Sequence, residues 1–137
     1  MGANETLELG TKVQTDLDYD DAVARVRKLL AEQGFGILTE IDVKSTVKTK
    51  IDADFRRYII LGACNPALAH RALSKEIDVG LMLPCNVIVY ENDDGGSTVN
   101  FLNPMVVMGM AAGFDLHDLA SEAQERLAAA AAGLRRN

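Results

Sequence analysis

Two cysteines, each followed directly by an asparagine, are the residues best placed to do chemistry in this sequence. Cys64 and Asn65 close one apolar run, and Cys85 and Asn86 interrupt the next one. A cysteine thiolate is a nucleophile and a metal ligand, and the pKa of a thiol falls near the N-terminus of a helix. Asn65 precedes a proline, and asparagine followed by proline is a typical helix start. The pattern predicts a ligand-binding or thiol-based redox site at Cys64, Asn65, Cys85 and Asn86.

The same four residues also have a structural interpretation. Free cysteines pack as small hydrophobic residues, and Asn65 has a sufficient role as a helix cap. Asn86 lies in an apolar strand, where a buried amide must find partners, and it either orients a small ligand or ties down the turn at Asn65. A catalytic role for Cys64 or Cys85 lacks an identifiable base, since His70 is the only plausible one. Both cysteines are therefore catalytic candidates without an assigned reaction.

Metal and phosphate sites have little support in the sequence. The soft ligands are the two cysteines, His70 and His117, and they show neither Cys-x-x-Cys nor His-x-x-x-His spacing. The glycines form neither of the nucleotide-binding motifs G-x-x-x-x-G-K-S/T and G-x-G-x-x-G. No serine lies in a nucleophile elbow. We therefore expect no metal and no cofactor.

Composition and charge are those of an ordinary globular protein. The 137 residues suit a single domain over residues 1–137, with 48% apolar and 25% charged residues. The net charge of -6 argues against nucleic acid, whose binding relies on Lys and Arg meeting phosphates. No apolar run approaches the roughly 20 residues that span a bilayer, and the N-terminal residues lack the features of a signal peptide. We therefore expect a cytoplasmic protein without membrane contact.

The periodicity of the sequence predicts five strands and two long helices. Asp18 is the predicted cap of the first long helix, and Asp115 is that of the last. The strands are expected at residues 6–15, 35–42, 55–63, 81–91 and 98–102, with shorter helices at residues 43–51, after Asn65 and after Asn103. Pro84 lies inside the fourth strand, which predicts a sheet edge or a bulge there. Grouped strands with helices at the ends indicate an α+β fold of two layers.

Two segments resemble one protein family in detail. L-G-A-C-N-P-A-L-A-H-R-A-L contains Cys64, and V-G-L-M-L-P-C-N-V-I-V-Y contains Cys85. Together with the earlier I-D-V-K-S-T-V-K-T-K-I and the later L-N-P, they closely resemble the family called domain of unknown function three-hundred-and-two. The resemblance implies a TATA-binding-protein-like arrangement, an antiparallel sheet of about five strands in β-α-β4-α order with short helical insertions. It implies no established activity, and DNA binding does not carry over because a fold does not fix a function.

The implied topology has a consequence for the two thiols. If the strands that carry Cys64 and Cys85 are antiparallel neighbours, as the resemblance implies, both cysteines lie at the same end of the sheet. Their Cα atoms would then approach the roughly 4.4–6.8 Å separation of a disulfide. Parallel strands would place them at opposite ends instead. The topology therefore decides whether the two cysteines share a site.

The predicted fourth strand also indicates a partner. Residues 81–83 and 87–89 are apolar at both alternating positions, so this strand is expected to be covered on both faces. We expect a homodimer that buries part of the sheet or the helix at residues 105–110.

Three functions remain open at this point. A domain that binds a small molecule or acts in a thiol-linked process is favoured over a structural or protein-interaction module and over a cysteine-dependent redox enzyme.

Overall fold

The computed structural model describes residues 9–109 and 115–135, which form one antiparallel sheet and its helices. The sheet has five strands in the order β1-β5-β4-β3-β2. The strands are β1 (Gly10–Thr15), β2 (Gly36–Asp42), β3 (Tyr58–Cys64), β4 (Cys85–Glu91) and β5 (Ser97–Leu102). The helices are α1 (Tyr19–Glu32), α2 (Val43–Ile51), α3 (Pro66–Lys75), α4 (Pro104–Gly109) and α5 (His117–Arg135), with a 3-10 helix at Ile77–Met82. The predicted α+β class, antiparallel sheet and element order are confirmed.

The two long helices, α1 and α5, pack on one face of the sheet. The Asp18 carboxylate begins α1 by accepting a hydrogen bond from the Asp21 N–H at 2.9 Å, as the sequence predicts. The apolar stripes of α1 and α5 pack together with the inward-facing strand residues in a single core. At the contact between the helices, Gly133 of α5 lies against Leu29 of α1, where an added Cβ would lie 2.6 Å from Leu29 Cδ2. A glycine at this position therefore allows the two helices to approach closely.

Side chains alternate between the two faces of the sheet. The helix-covered face holds the buried residues Val13, Leu61, Ala63, Val87, Val89, Val99 and Phe101. We call the opposite face the open face. It is formed by the alternate residues Lys12, Gln14, Thr39, Ile41, Tyr58, Ile60, Gly62, Asn86, Ile88, Tyr90, Thr98, Asn100 and Leu102. Apart from Gly62 and Thr98, these open-face residues are half-buried or exposed.

The region before β4 differs from the prediction. Residues 81–83 were expected in the fourth strand, but the chain forms a 3-10 helix at Ile77–Met82, and Leu81 is 91% exposed. Pro84 lies just before β4, where its missing N–H costs the ladder no hydrogen bond. The expected sheet edge or bulge at Pro84 is therefore wrong, since β4 is central in the sheet and the register shift lies in β2, between Ile37 and Thr39.

The remaining predicted elements lie close to their expected positions. The helix at residues 43–51 is confirmed, and it begins at the Asp42 carboxylate, which accepts a hydrogen bond from the Ser45 N–H at 3.0 Å. The first strand begins at Gly10, and its predicted start at residue 6 lies outside the described residues. Across residues 9–109 and 115–135, no helix is long and apolar enough to cross a membrane.

Candidate functional site

Strand pairing brings the two cysteines to the same end of the sheet. Strands β3 and β4 are antiparallel neighbours, and Ala63 lies directly opposite Cys85. Cys64 is the next residue along β3 after Ala63. Both cysteines are half-buried and neither forms a disulfide. The expectation that antiparallel strands place Cys64 and Cys85 together is confirmed.

A small apolar cavity lies beside this end of the sheet. Its volume is about 60 Å³, and its walls come from the ends of β3 and β4 and from α3, α4 and α5. The two cysteines and Asn65 line it together with Phe35, Ala63, Leu68, Ala69, Ala72, Leu83, Pro84, Pro104, Met108, Leu116, Leu119, Ala120 and Ala123. Among these lining side chains, Asn65 alone carries a strongly polar group. The cavity therefore favours an apolar occupant.

Burial keeps both thiols protonated at neutral pH. Desolvation, with a smaller contribution from the nearby Cys64, raises the pKa of Cys85 to about 11. Desolvation also raises the pKa of Cys64. With a pKa of about 11, Cys85 is ionised in roughly one molecule in 10⁴ at pH 7. Neither cysteine has the depressed pKa that activates a thiolate nucleophile, and His70, the proposed base, is exposed on α3 and does not line the cavity.

Asn65 joins the end of β3 to the start of α3. Its Oδ1 accepts a hydrogen bond from the Leu68 N–H at 3.2 Å, and Pro66 follows in the first turn. The predicted helix start is confirmed. Because Leu68 and Ala69 of α3 line the cavity, the cap at Asn65 also fixes one wall of the cavity.

Removing this cap tests its structural role. We expect Asn65→Ala to lower the free energy of unfolding by about 1 kcal/mol, because the Leu68 N–H loses its hydrogen-bond partner. Asn65→Ser should retain most of the stability, since serine is also a good cap. Urea denaturation of the two variants and the wild type measures the difference. Equal losses for alanine and serine would contradict the capping role.

Gly62 allows Pro84, which lines the first cavity, to pack closely against β3. A Cβ at Gly62 would clash with Thr39 Oγ1 and would lie 2.8 Å from Cγ of Pro84. The absence of a side chain lets Pro84, which lines the cavity, pack directly onto the strand. The glycine of the G-A-C-N-P segment and the proline of the L-P-C-N segment are therefore packing partners.

The structure separates Asn86 from the other three predicted site residues. Asn86 is exposed on the open face opposite Gly62, whereas Cys85 packs against the helix-covered core. The expectation of a buried amide at Asn86 is wrong. Of the two roles considered for Asn86, the one that ties down the turn at Asn65 is wrong too, because successive strand residues point to opposite faces. Asn86 instead lines a second cavity of about 190 Å³ with Leu9, Gly10, Ile88, Asn100 and Leu102.

The last two helices contribute to the first cavity in a way that the sequence did not predict. Pro104 and Met108 of α4 and Ala120 and Ala123 of α5 all line it. Two signals could have indicated this, namely the Asn103-Pro104 helix start and the small residues on one side of α5. The methionines of residues 105–110 were expected to pack in the core or to form a lid or dimer-interface helix, and Met110 lies outside the described residues.

Metal ligands are not clustered in the described part of the chain. Within residues 9–109 and 115–135, no group of three or more His, Cys, Asp or Glu side chains is placed to hold a metal ion.

Comparison with known proteins identifies a protein family and a similar solved structure. A family model described as Domain of unknown function DUF302 matches residues 11–134. The crystal structure of the uncharacterized conserved protein DUF302 from Bacillus stearothermophilus is similar, with a TM-score of 0.85 and 28% sequence identity. That similarity covers 94% of this chain and 100% of the other. No curated protein matches the sequence.

Proposed function

Since the chain belongs to the Domain of unknown function DUF302 family, whose description names no activity, we propose its function from the first cavity. The protein binds a small apolar molecule, or the apolar end of a larger one, between the ends of β3 and β4 and the helices α3, α4 and α5. The observation that supports this proposal is the apolar cavity of about 60 Å³ beside Cys64 and Cys85.

The size of the cavity limits its occupant. An engineered apolar cavity of roughly 150 Å³ stays dry and binds benzene or xenon. A cavity of about 60 Å³ suits a xenon atom or a hydrocarbon group of a few heavy atoms. Water is a poor occupant, because a buried water needs two to four polar partners and a thiol is a weak donor and a weak acceptor.

The two cysteines act in this proposal as protonated lining groups. A protonated thiol packs as a small, polarisable hydrophobic group, and the raised pKa values of Cys64 and Cys85 maintain that form at neutral pH. These pKa values argue against a thiolate-dependent redox enzyme. They are compatible with a binding site in which the thiols contribute contact surface.

A cavity-filling substitution tests the proposal. In the wild type, xenon or a short-chain alcohol should shift the methyl NMR signals of Leu68, Leu83 and Met108 saturably, since these residues line the cavity. Ala123→Leu places three further carbon atoms at the cavity wall and should abolish this response. Filling about 60 Å³ should also raise stability by up to roughly 1.4 kcal/mol, from about 24 cal/mol per Å³ of cavity.

Ala128→Leu is the matched control, because Ala128 is exposed on the same helix. This variant should respond to xenon and alcohols as the wild type does. A wild type without a saturable response would contradict the proposal, and so would an Ala123→Leu variant that responds as strongly as the control.

A further inference from the structure

We propose that the open face of the sheet is the interface of a symmetric homodimer, in which two copies of this chain pack sheet against sheet. This inference is independent of the proposed function, because none of the residues that form the open face lines the first cavity. The occupant of the open face is a second copy, and three observations support that choice.

The first observation is the apolar centre of the open face. Ile60 and Ile88 are cross-strand partners on the two adjoining strands β3 and β4, and both are half-buried. Beside them, the rings of Tyr58 and Tyr90 stack with their centroids 5.5 Å apart. Aromatic and aliphatic side chains of this kind form the energetic centre of protein interfaces. Two such faces pack about 10 Å apart in sheet-on-sheet structures.

The second observation is the charge of the open face. The chain has a net charge of -6, so two copies repel each other over most orientations. Among the alternate residues that form the open face, Lys12 is the one charged side chain, and none is acidic. Two copies therefore meet with the least repulsion when they meet through this face.

The third observation is that the polar groups of the face complement themselves. Asn86 is exposed at the second cavity, which Ile88 and Leu102 also line, whereas the Oδ1 of Asn100 is buried there. A carboxamide carries both donors and an acceptor. Across a two-fold axis, where each surface meets a copy of itself, the exposed carboxamide of Asn86 can therefore pair with its own copy. A partner of opposite charge is not required.

The area of the face is large enough to supply most of a dimer interface. Five strands at about 4.8 Å spacing and six residues at about 3.4 Å rise cover roughly 500 Å² in projection. Leu9, which is 57% exposed and precedes β1, adds to this area at its edge. The projected area alone is more than half of the roughly 800 Å² per partner that a standard stable interface buries.

Charge substitution at the centre of the face tests the proposal. Light scattering of the wild type at micromolar concentration should give twice the 14.8 kDa mass of one chain. Ile88→Lys should raise the concentration at which the protein is half dimeric by about tenfold or more, because two lysines face each other in the interface. Ile77→Lys is the matched control, since Ile77 is 80% exposed on the 3-10 helix outside the open face. That variant should remain a dimer.

Asn86→Arg provides a second test if Ile88→Lys fails to fold, because Asn86 is already exposed and its substitution removes no core contact. Circular dichroism establishes that each variant is folded. A folded Asn86→Arg monomer beside a dimeric wild type and a dimeric Ile77→Lys variant supports the proposal. A monomeric wild type overturns it, and so does a wild-type dimer that both open-face variants leave intact.

Discussion

Replacing Phe101 with alanine should lower the free energy of unfolding by about 3–5 kcal/mol, the largest effect that we expect from a single substitution in this chain. Among the described residues, Phe101 is the largest fully buried side chain, with 0% exposure. It lies on β5 opposite Val87 of β4 and Thr11 of β1, on the face covered by α1 and α5. Truncation removes its apolar contacts and leaves a cavity that the surrounding helices and strands cannot fully close.

Leu102→Ala is the control for this prediction. Leu102 follows Phe101 on the same strand, but it is half-buried on the open face. At protein concentrations that keep the chain monomeric, its truncation should cost roughly 1 kcal/mol or less, because less apolar area is buried there. Urea denaturation of both variants at low concentration measures the two losses. Similar losses would contradict a sheet that is covered by helices on one face only.

The secure sequence predictions are those in which several local signals agree. The Asp18 cap and the apolar stripe of the first long helix both indicated α1. The Asn65-Pro66 pair indicated the start of α3. The predicted strand at residues 81–83 was wrong because apolar residues alone do not define a strand. Leu81 is apolar but almost fully exposed, so its hydrophobicity carried no information about burial.

The candidate site was predictable only in part. The pairing of β3 with β4 brings Cys64 and Cys85 together, and the sequence order with its family resemblance anticipated that pairing. Strict alternation along β4 places Asn86 on the other face, although the repeated Cys-Asn dipeptide suggested a shared role. The cavity itself is lined by residues far apart in sequence, such as Ala69 and Ala123. Local patterns in the sequence do not indicate such long-range packing.

Raising the pH from 9 to 11 should destabilise the protein by roughly 2 kcal/mol through Cys85. In the unfolded chain a cysteine ionises near its ordinary pKa of 9.0, whereas burial raises the pKa of Cys85 to about 11 in the folded protein. Between these values the unfolded state releases a proton that the folded state retains. The folded state binds more protons, so stability falls as the pH rises. Each pKa unit corresponds to about 1.36 kcal/mol.

Cys85→Ala isolates this effect from other groups that titrate in the same range. The pKa values of Tyr19 and Tyr58 are also raised by burial, so the wild type and the variant share a background loss of stability at high pH. The difference in unfolding free energy between wild type and Cys85→Ala should therefore shift in favour of the variant between pH 9 and pH 11. Iodoacetamide labelling, followed by mass spectrometry, should show slow alkylation of Cys85 at pH 7 that accelerates toward pH 11. Rapid alkylation of Cys85 at neutral pH would contradict the prediction, because it would show that the folded protein holds a thiolate there. A difference in unfolding free energy that stays constant between pH 9 and pH 11 would also contradict it, because burial would then not oppose the ionisation of Cys85.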